Sequence, residues 1–249
     1  MTIVHRGLVC VALIAPLSRV SAQLKTATTA DQTASVGIPD GWTLAKGSNG
    51  FVYVTGPNDE RVNLGVIVVA KNGPAGSGTT GEVAFALPFT ATAKEKFTTI
   101  LESGAAKQGL PKPAITVASE NPTRLPMCSR LLGSWTAGSD SRKFEGVICS
   151  LQPDWLGLYK NIVFLLQVPS SRAAQDRPIV EQIAASYRVT PDMFKKMLAS
   201  YTDLPPQPPS GLAPYQDPTN SDCFDYNVIR ESPPWEVPMH CGGTNPSLR

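Results

Sequence analysis

The alternation of apolar and polar positions divides the chain into short strands and two main helices. Residues 35–38 read as a strand that stops at Pro39, Asp40, Gly41 and Trp42. Residues 51–55 and 62–70 read as consecutive antiparallel strands, with a turn at Gly56, Pro57, Asn58 and Asp59 between them. Residues 71–81 form a Gly-, Pro- and Ser-rich loop, and 82–88 show no clear period. Over 92–103, Ala93, Phe97, Ile100, Leu101 and then Gly104 recur at helical spacing, with Lys94, Glu95, Lys96 and Glu102 off the stripe. Strands follow at 114–118 and at 161–168, the latter strongly apolar. The second helix is predicted over about 177–187, with Asp176 as its cap, Pro178 in its first turn, and a core stripe of Ile179, Val180, Ile183, Ala184 and Tyr187. Residues 191–200 add a short helix carrying Met193, Phe194 and Met197.

A hairpin is expected on either side of Ala137 to Ser141, a turn-like stretch centred between Gly138 and Ser139. Cys128 and Cys149 are equidistant from that centre. In the symmetric register they face each other at a separation a disulfide can close. The same register pairs Trp135 with Arg142, Gly133 with Phe144, Leu131 with Gly146 and Ser129 with Ile148, which puts Leu131, Trp135, Phe144 and Ile148 on one buried face. The opposite face, with Arg130, Ser134, Lys143 and Glu145 among Leu132 and Val147, is expected to be mostly wet.

The first 22 residues read as a secretory signal: His5 and Arg6, an uncharged apolar run over 7–17, and small residues before a cleavage point after Ala22. That run is too short for a membrane span, which needs about 20 residues. Removing it takes Arg6 and Arg19 from 22 basic residues and leaves 20 against 20 acidic ones. A neutral chain with no basic run gives no reason to expect a nucleic-acid partner or binding to an anionic membrane surface, no stable membrane span is expected after signal cleavage, and the expected partner is an unknown protein or small-molecule ligand, with localisation secreted or periplasmic. The four remaining cysteines favour two disulfides in an oxidising compartment; with Cys128 joined to Cys149, Cys223 pairs with Cys241. No CxxC pair is present and His240 is the one histidine left, so no metal or other cofactor is expected.

The expected organisation is a flexible leader at 23–34, an α+β core domain at 35–200, a Pro-rich linker at 201–218 and a disulfide-closed extension at 219–249. The element order, with Ile38, Pro39, Asp40, Gly41 and Trp42 near its start, resembles the PsbP-like family of exported α/β proteins over about residues 35–190. The resemblance implies an antiparallel sheet with helices packed on it, and a noncatalytic binding or assembly role in a bacterial envelope or thylakoid lumen. It assigns no functional residue beyond the turn, and the C-terminal extension departs from the family pattern.

Catalytic motifs are weak. Residues 76–81 satisfy GxGxxG, but the dinucleotide reading needs a helix opening there inside a βαβ unit, and Pro88 intervenes. Gly73 and Gly78 have phosphate-loop spacing, but Thr79 stands where lysine is required. A serine triad would have to use His240, in a proline-rich tail. Trp42 and Trp135 read as core, Trp155 and Trp235 as contact residues. The sequence therefore points to an exported noncatalytic binding or assembly module with no catalytic residue assigned. One alternative is a secreted hydrolase using two carboxylates about 5 to 10 Å apart in a cleft. The other is partner docking through the C-terminal tail.

Overall fold

The computed structural model describes residues 23–75, 83–125 and 127–199. The alternating segments pair into two sheets. β1 (Lys25–Thr28), β2 (Ala34–Ile38) and β11 (Arg188–Val189) form a small antiparallel sheet in the order β1-β2-β11. The larger sheet runs β3 (Thr43–Ser48), β4 (Phe51–Thr55), β5 (Arg61–Lys71), β10 (Leu158–Pro169), β9 (Asp140–Ser150), β8 (Cys128–Ala137), β7 (Ala114–Pro122). β6 (Phe85–Ala86) lies off this path and pairs with β5, in parallel. The helices are α1 (Ala93–Lys107), α2 (Ala173–Ala185) and α3 (Pro191–Leu198). The architecture is α+β, with antiparallel sheets and helices packed on them.

The β8–β9 hairpin adopts the symmetric register, Cys128 opposite Cys149 and Trp135 opposite Arg142. Its first face is apolar: Leu131, Phe144 and Ile148 pack with Val163, Leu165 and fully buried Phe97 of α1. The second face is not mostly wet, although Lys143 on it is exposed. Cys128, Val147 and Cys149 join a larger core formed by β2, β4, β5, β10, α2 and α3, and Glu145 is only 4% exposed. The reason is the hairpin's place in the sheet: β9 lies beside β10, whose strand interior is buried on both sides. α1 covers one side and α2 with α3 the other.

Three further expectations change. Residues 23–34, read as a flexible leader, contain β1, tied to β2 by the register Lys25 with Ile38 through Thr28 with Ser35. The edge strand β3, Thr-Leu-Ala-Lys-Gly-Ser, is too polar to have been read as a strand. α2 starts four residues earlier than expected, because a 3-10 turn at Ser170–Arg172 leads directly from β10 into it. Pro178 therefore stands inside the helix, and Asp176 is a buried residue of its first turn rather than its cap. α1 begins with a capping box, Thr92 with Glu95, and Glu120 accepts from the N–H groups of Ala93 and Lys94 at 3.2 and 3.3 Å.

One glycine positions the site described next. Gly65, inside β5, has φ +73, and a Cβ there would lie 2.3 Å from the Tyr187 hydroxyl and 2.7 Å from the Gly50 carbonyl. Across the sheet, Val163 pairs with Val66 while Leu165 pairs with Asn63, so β5 carries one extra residue there, a bulge.

Candidate functional site

Before the bulge β5 has neighbours on both edges, and after it the outer edge opens. β4 covers β5 only from Arg61 to Leu64, and β6 pairs only with Ala70 and Lys71. Among the described residues, no strand covers this edge over residues 66–69. The Val69 carbonyl accepts from Ala84 N–H at 2.9 Å, so the main chain of Val69 points outward. By the two-residue period of a strand, the N–H and C=O of Ile67 point the same way. With the Val69 carbonyl engaged by Ala84, the open stretch is the three residues 66–68, about 10 Å long.

This edge is the floor of a groove of about 700 Å³. Ile100, Ser103, Gly104 and Lys107 of α1 form one wall, and Lys160, Lys196 and Ala199 form the other. Ala84 and Phe85 close one end. Among the described residues, no lining side chain is acidic and three are lysines. Lys160 Nζ donates to the carbonyls of Lys196 at 3.3 Å and Ala199 at 2.7 Å, so it fixes the end of α3 at the rim. The site therefore offers strand-type main-chain groups, apolar walls from Val66, Val68, Phe85 and Ile100, and a positive rim. Its chemistry is that of strand addition to a sheet edge. The internal glycine of β5 is the sequence signal for the bulge, and the lysines come together only through the fold.

The structure also brings two carboxyl groups together. Glu60 and Asp176, each 1% exposed, share a side-chain hydrogen bond. Burial pushes Asp176 above its ordinary value, and its bond with Glu60 works in the same direction against the opposing pull of Arg172 at 2.7 Å. Burial also penalises ionised Glu60, but hydrogen bonds from the Asn58 side chain and the backbone N–H groups of Glu60 and Asn58 outweigh it and hold Glu60 low. The two shifts run in opposite directions, Asp176 up and Glu60 down. Two carboxyls bonded to each other and closed from solvent leave no space for a sugar or an attacking water, unlike a carboxylate hydrolase. Glu60 directly follows the turn at residues 56–59. The loop over residues 56–60 curls round its carboxylate beneath Trp42, so close that a Cβ on Gly56 would lie 2.2 Å from Glu60 Oε2.

Two other polar clusters are structural. Nearly buried Arg142 holds Asp59 and Asp140 and lies 5.6 Å from the Trp135 ring, while Glu145 binds Arg130 and Arg177, both at 3.0 Å. Lys96, read as an off-stripe surface residue of α1, is 6% exposed, 4.6 Å from the Phe89 ring and 3.2 Å from Ser150 Oγ. Burial lowers its pKa. The Ser150 hydroxyl, which accepts from Lys96, donates to Asn161 Oδ1 at 2.8 Å.

Of the residues singled out in sequence, Cys128 and Cys149 have bonded sulfurs and Cα atoms 4.0 Å apart. Trp42 and Trp135 are half-buried against the two main cores, and Trp155 is 71% exposed. Cys223, Cys241, Trp235, His240 and the GxGxxG stretch lie outside the described residues. Among the described residues, no group of three or more His, Cys, Asp or Glu could hold a metal, and no helix is long and apolar enough to cross a membrane.

No protein-family model matches this chain, and no curated protein does. Among solved structures it is similar to cyanobacterial PsbP (CyanoP) from Synechocystis sp. PCC 6803, at 15% identity and TM-score 0.38, over 71% of this chain and 99% of that one. It is also similar to the Saccharomyces cerevisiae Ran-binding protein Mog1p, at 9% identity and TM-score 0.39, over 72% and 100%. A third is LpqN, involved in cell envelope biogenesis of Mycobacterium tuberculosis, at 13% identity and TM-score 0.33, over 68% and 91%. A PsbP, from the family that the element order resembles, is thus among the solved structures to which this chain is similar.

Proposed function

We propose that this chain is an exported, noncatalytic binding module that takes an extended, acidic polypeptide segment as an added strand on the open edge of β5. The observation that carries this reading is the uncovered stretch of β5 at residues 66–68, lying in a groove whose charged side chains, among the described residues, are lysines. Main-chain bonds to the N–H and C=O of Ile67 and to the N–H of Val69, whose carbonyl Ala84 already engages, supply affinity, and alternate side chains meet the α1 wall or the lysine rim. The signal-like first 22 residues and the Cys128–Cys149 bond support export to an oxidising compartment.

The test titrates the full-length oxidised chain with the peptide acetyl-Asp-Val-Asp-Tyr-Asp-Val-amide and with its counterpart carrying lysine for aspartate, following backbone amide signals. The acidic peptide is expected to shift Ile67 and Val69 saturably and to bind at least tenfold tighter than the lysine peptide. Lys107→Glu with Lys196→Glu should reverse that preference. Shifts confined to other regions, or a preference unchanged by the charge reversal, would overturn the reading.

A further inference from the structure

We infer that in the resting chain the slot is filled in cis by residues 223–229 of its own C-terminal segment, so that a partner strand binds by displacing it; this rests on the slot reading above.

The first support is where the described chain ends. Ala199 lines the slot and its carbonyl is held there by Lys160, so the remaining 50 residues start at the rim of the groove. The second is charge. Residues 200–249 carry Asp203, Asp217, Asp222, Asp225, Glu231 and Glu236 against Arg230 and Arg249, six side-chain acids to two bases and a net of −4. That is opposite in sign to the three lysines of the slot.

The third support is pattern. Phe224, Tyr226 and Val228 alternate with Asp225 and Asn227, which is the two-residue period of a half-buried strand. Prolines at 205, 206, 208, 209, 214 and 218 precede this segment and prolines at 233, 234 and 238 follow it. Proline cannot donate to a ladder, so 219–232 is the stretch best able to pair with β5. Reach is ample: the 23 residues between Ala199 and Cys223 span up to about 70 Å at the polyproline rise, many times the length of the slot. Such a tether makes pairing intramolecular, so the strand competes with a free peptide through its effective concentration.

The experiment repeats the acidic-peptide titration on three full-length variants. Tyr226→Pro and Asp225→Pro each remove one of two adjacent amides, of which only one faces β5. Gly211→Pro lies in the proline-rich stretch and is the control. The affinity for the peptide is expected to rise at least tenfold in Tyr226→Pro or Asp225→Pro and to stay unchanged in Gly211→Pro. Binding at Ile67 and Val69 with the same affinity in every chain would overturn occupancy by the tail while leaving the slot reading intact. Absence of binding in every chain would overturn the slot reading and this inference with it. A gain that disappears when the protein is diluted would assign the strand to a second copy and overturn occupancy in cis.

Discussion

Replacing both Cys128 and Cys149 by alanine tests how much the β8–β9 cross-link contributes to a hairpin whose register is already set by its ladder. The bond closes a sequence separation of 21, for which the chain-entropy relation gives about 3 kcal/mol at 25 °C. Both cysteines are buried against the larger core, at 2% and 0% exposure, so losing the sulfurs adds a packing loss of about 1 kcal/mol. Urea unfolding followed by tryptophan fluorescence separates the two contributions. Removing a cross-link expands the unfolded chain and raises the denaturant slope, whereas lost native packing lowers the midpoint at constant slope. The double variant should lose about 3 to 4 kcal/mol with a higher slope. An unchanged midpoint, or a lower midpoint at an unchanged slope, would refute the unfolded-state argument.

Further predictions concern the two faces of the hairpin and the buried carboxyl pair. Phe144→Ala should cost about 3 to 5 kcal/mol, because the ring is buried 5.2 Å from that of Phe97, while Lys143→Ala on the neighbouring exposed position should cost under about 0.5. Equal losses in urea unfolding would contradict the face assignment. The raised Asp176 contributes stability that is complete below its unfolded pKa of about 3.9 and is lost as pH rises through its folded value. The lowered Glu60 does the reverse, with stability present above about 4.3 and lost as pH falls through its folded value. Asp176→Asn cannot ionise, so the wild type should gain stability relative to this variant as pH is lowered from 8 to 4; a pH-independent difference would contradict the raised Asp176.

The parts of the fold legible in sequence are those fixed by local pattern. The Cys128–Cys149 hairpin can be read because turn and flanks are symmetric about one point, so the register follows from counting. Helix α1 follows from its stripe, and its capping box from Thr92 and Glu95. The second face of the hairpin cannot be read from the hairpin alone, because its burial depends on the neighbouring β10 and on helices that arrive later in the chain. The unbroken apolar run of β10 is the sign that both sides of the sheet are covered. The binding slot is still less legible. Gly65 marks a bulge, but the opening depends on where β4 stops and β6 begins, and its rim joins Lys107, Lys160 and Lys196 from three elements. Glu60 and Asp176 likewise meet only when the β4–β5 turn and α2 reach the same end of the sheet.

Amide hydrogen exchange at Ile67 tests the central claim most directly, because strand addition must engage its outward N–H whereas side-chain docking in the groove need not. In whichever of the Tyr226→Pro and Asp225→Pro chains shows the raised affinity, saturating acidic peptide should slow exchange at Ile67 at least tenfold and leave Val68, whose amide faces β10, unchanged. Saturated peptide binding with unaltered exchange at Ile67 would contradict the account.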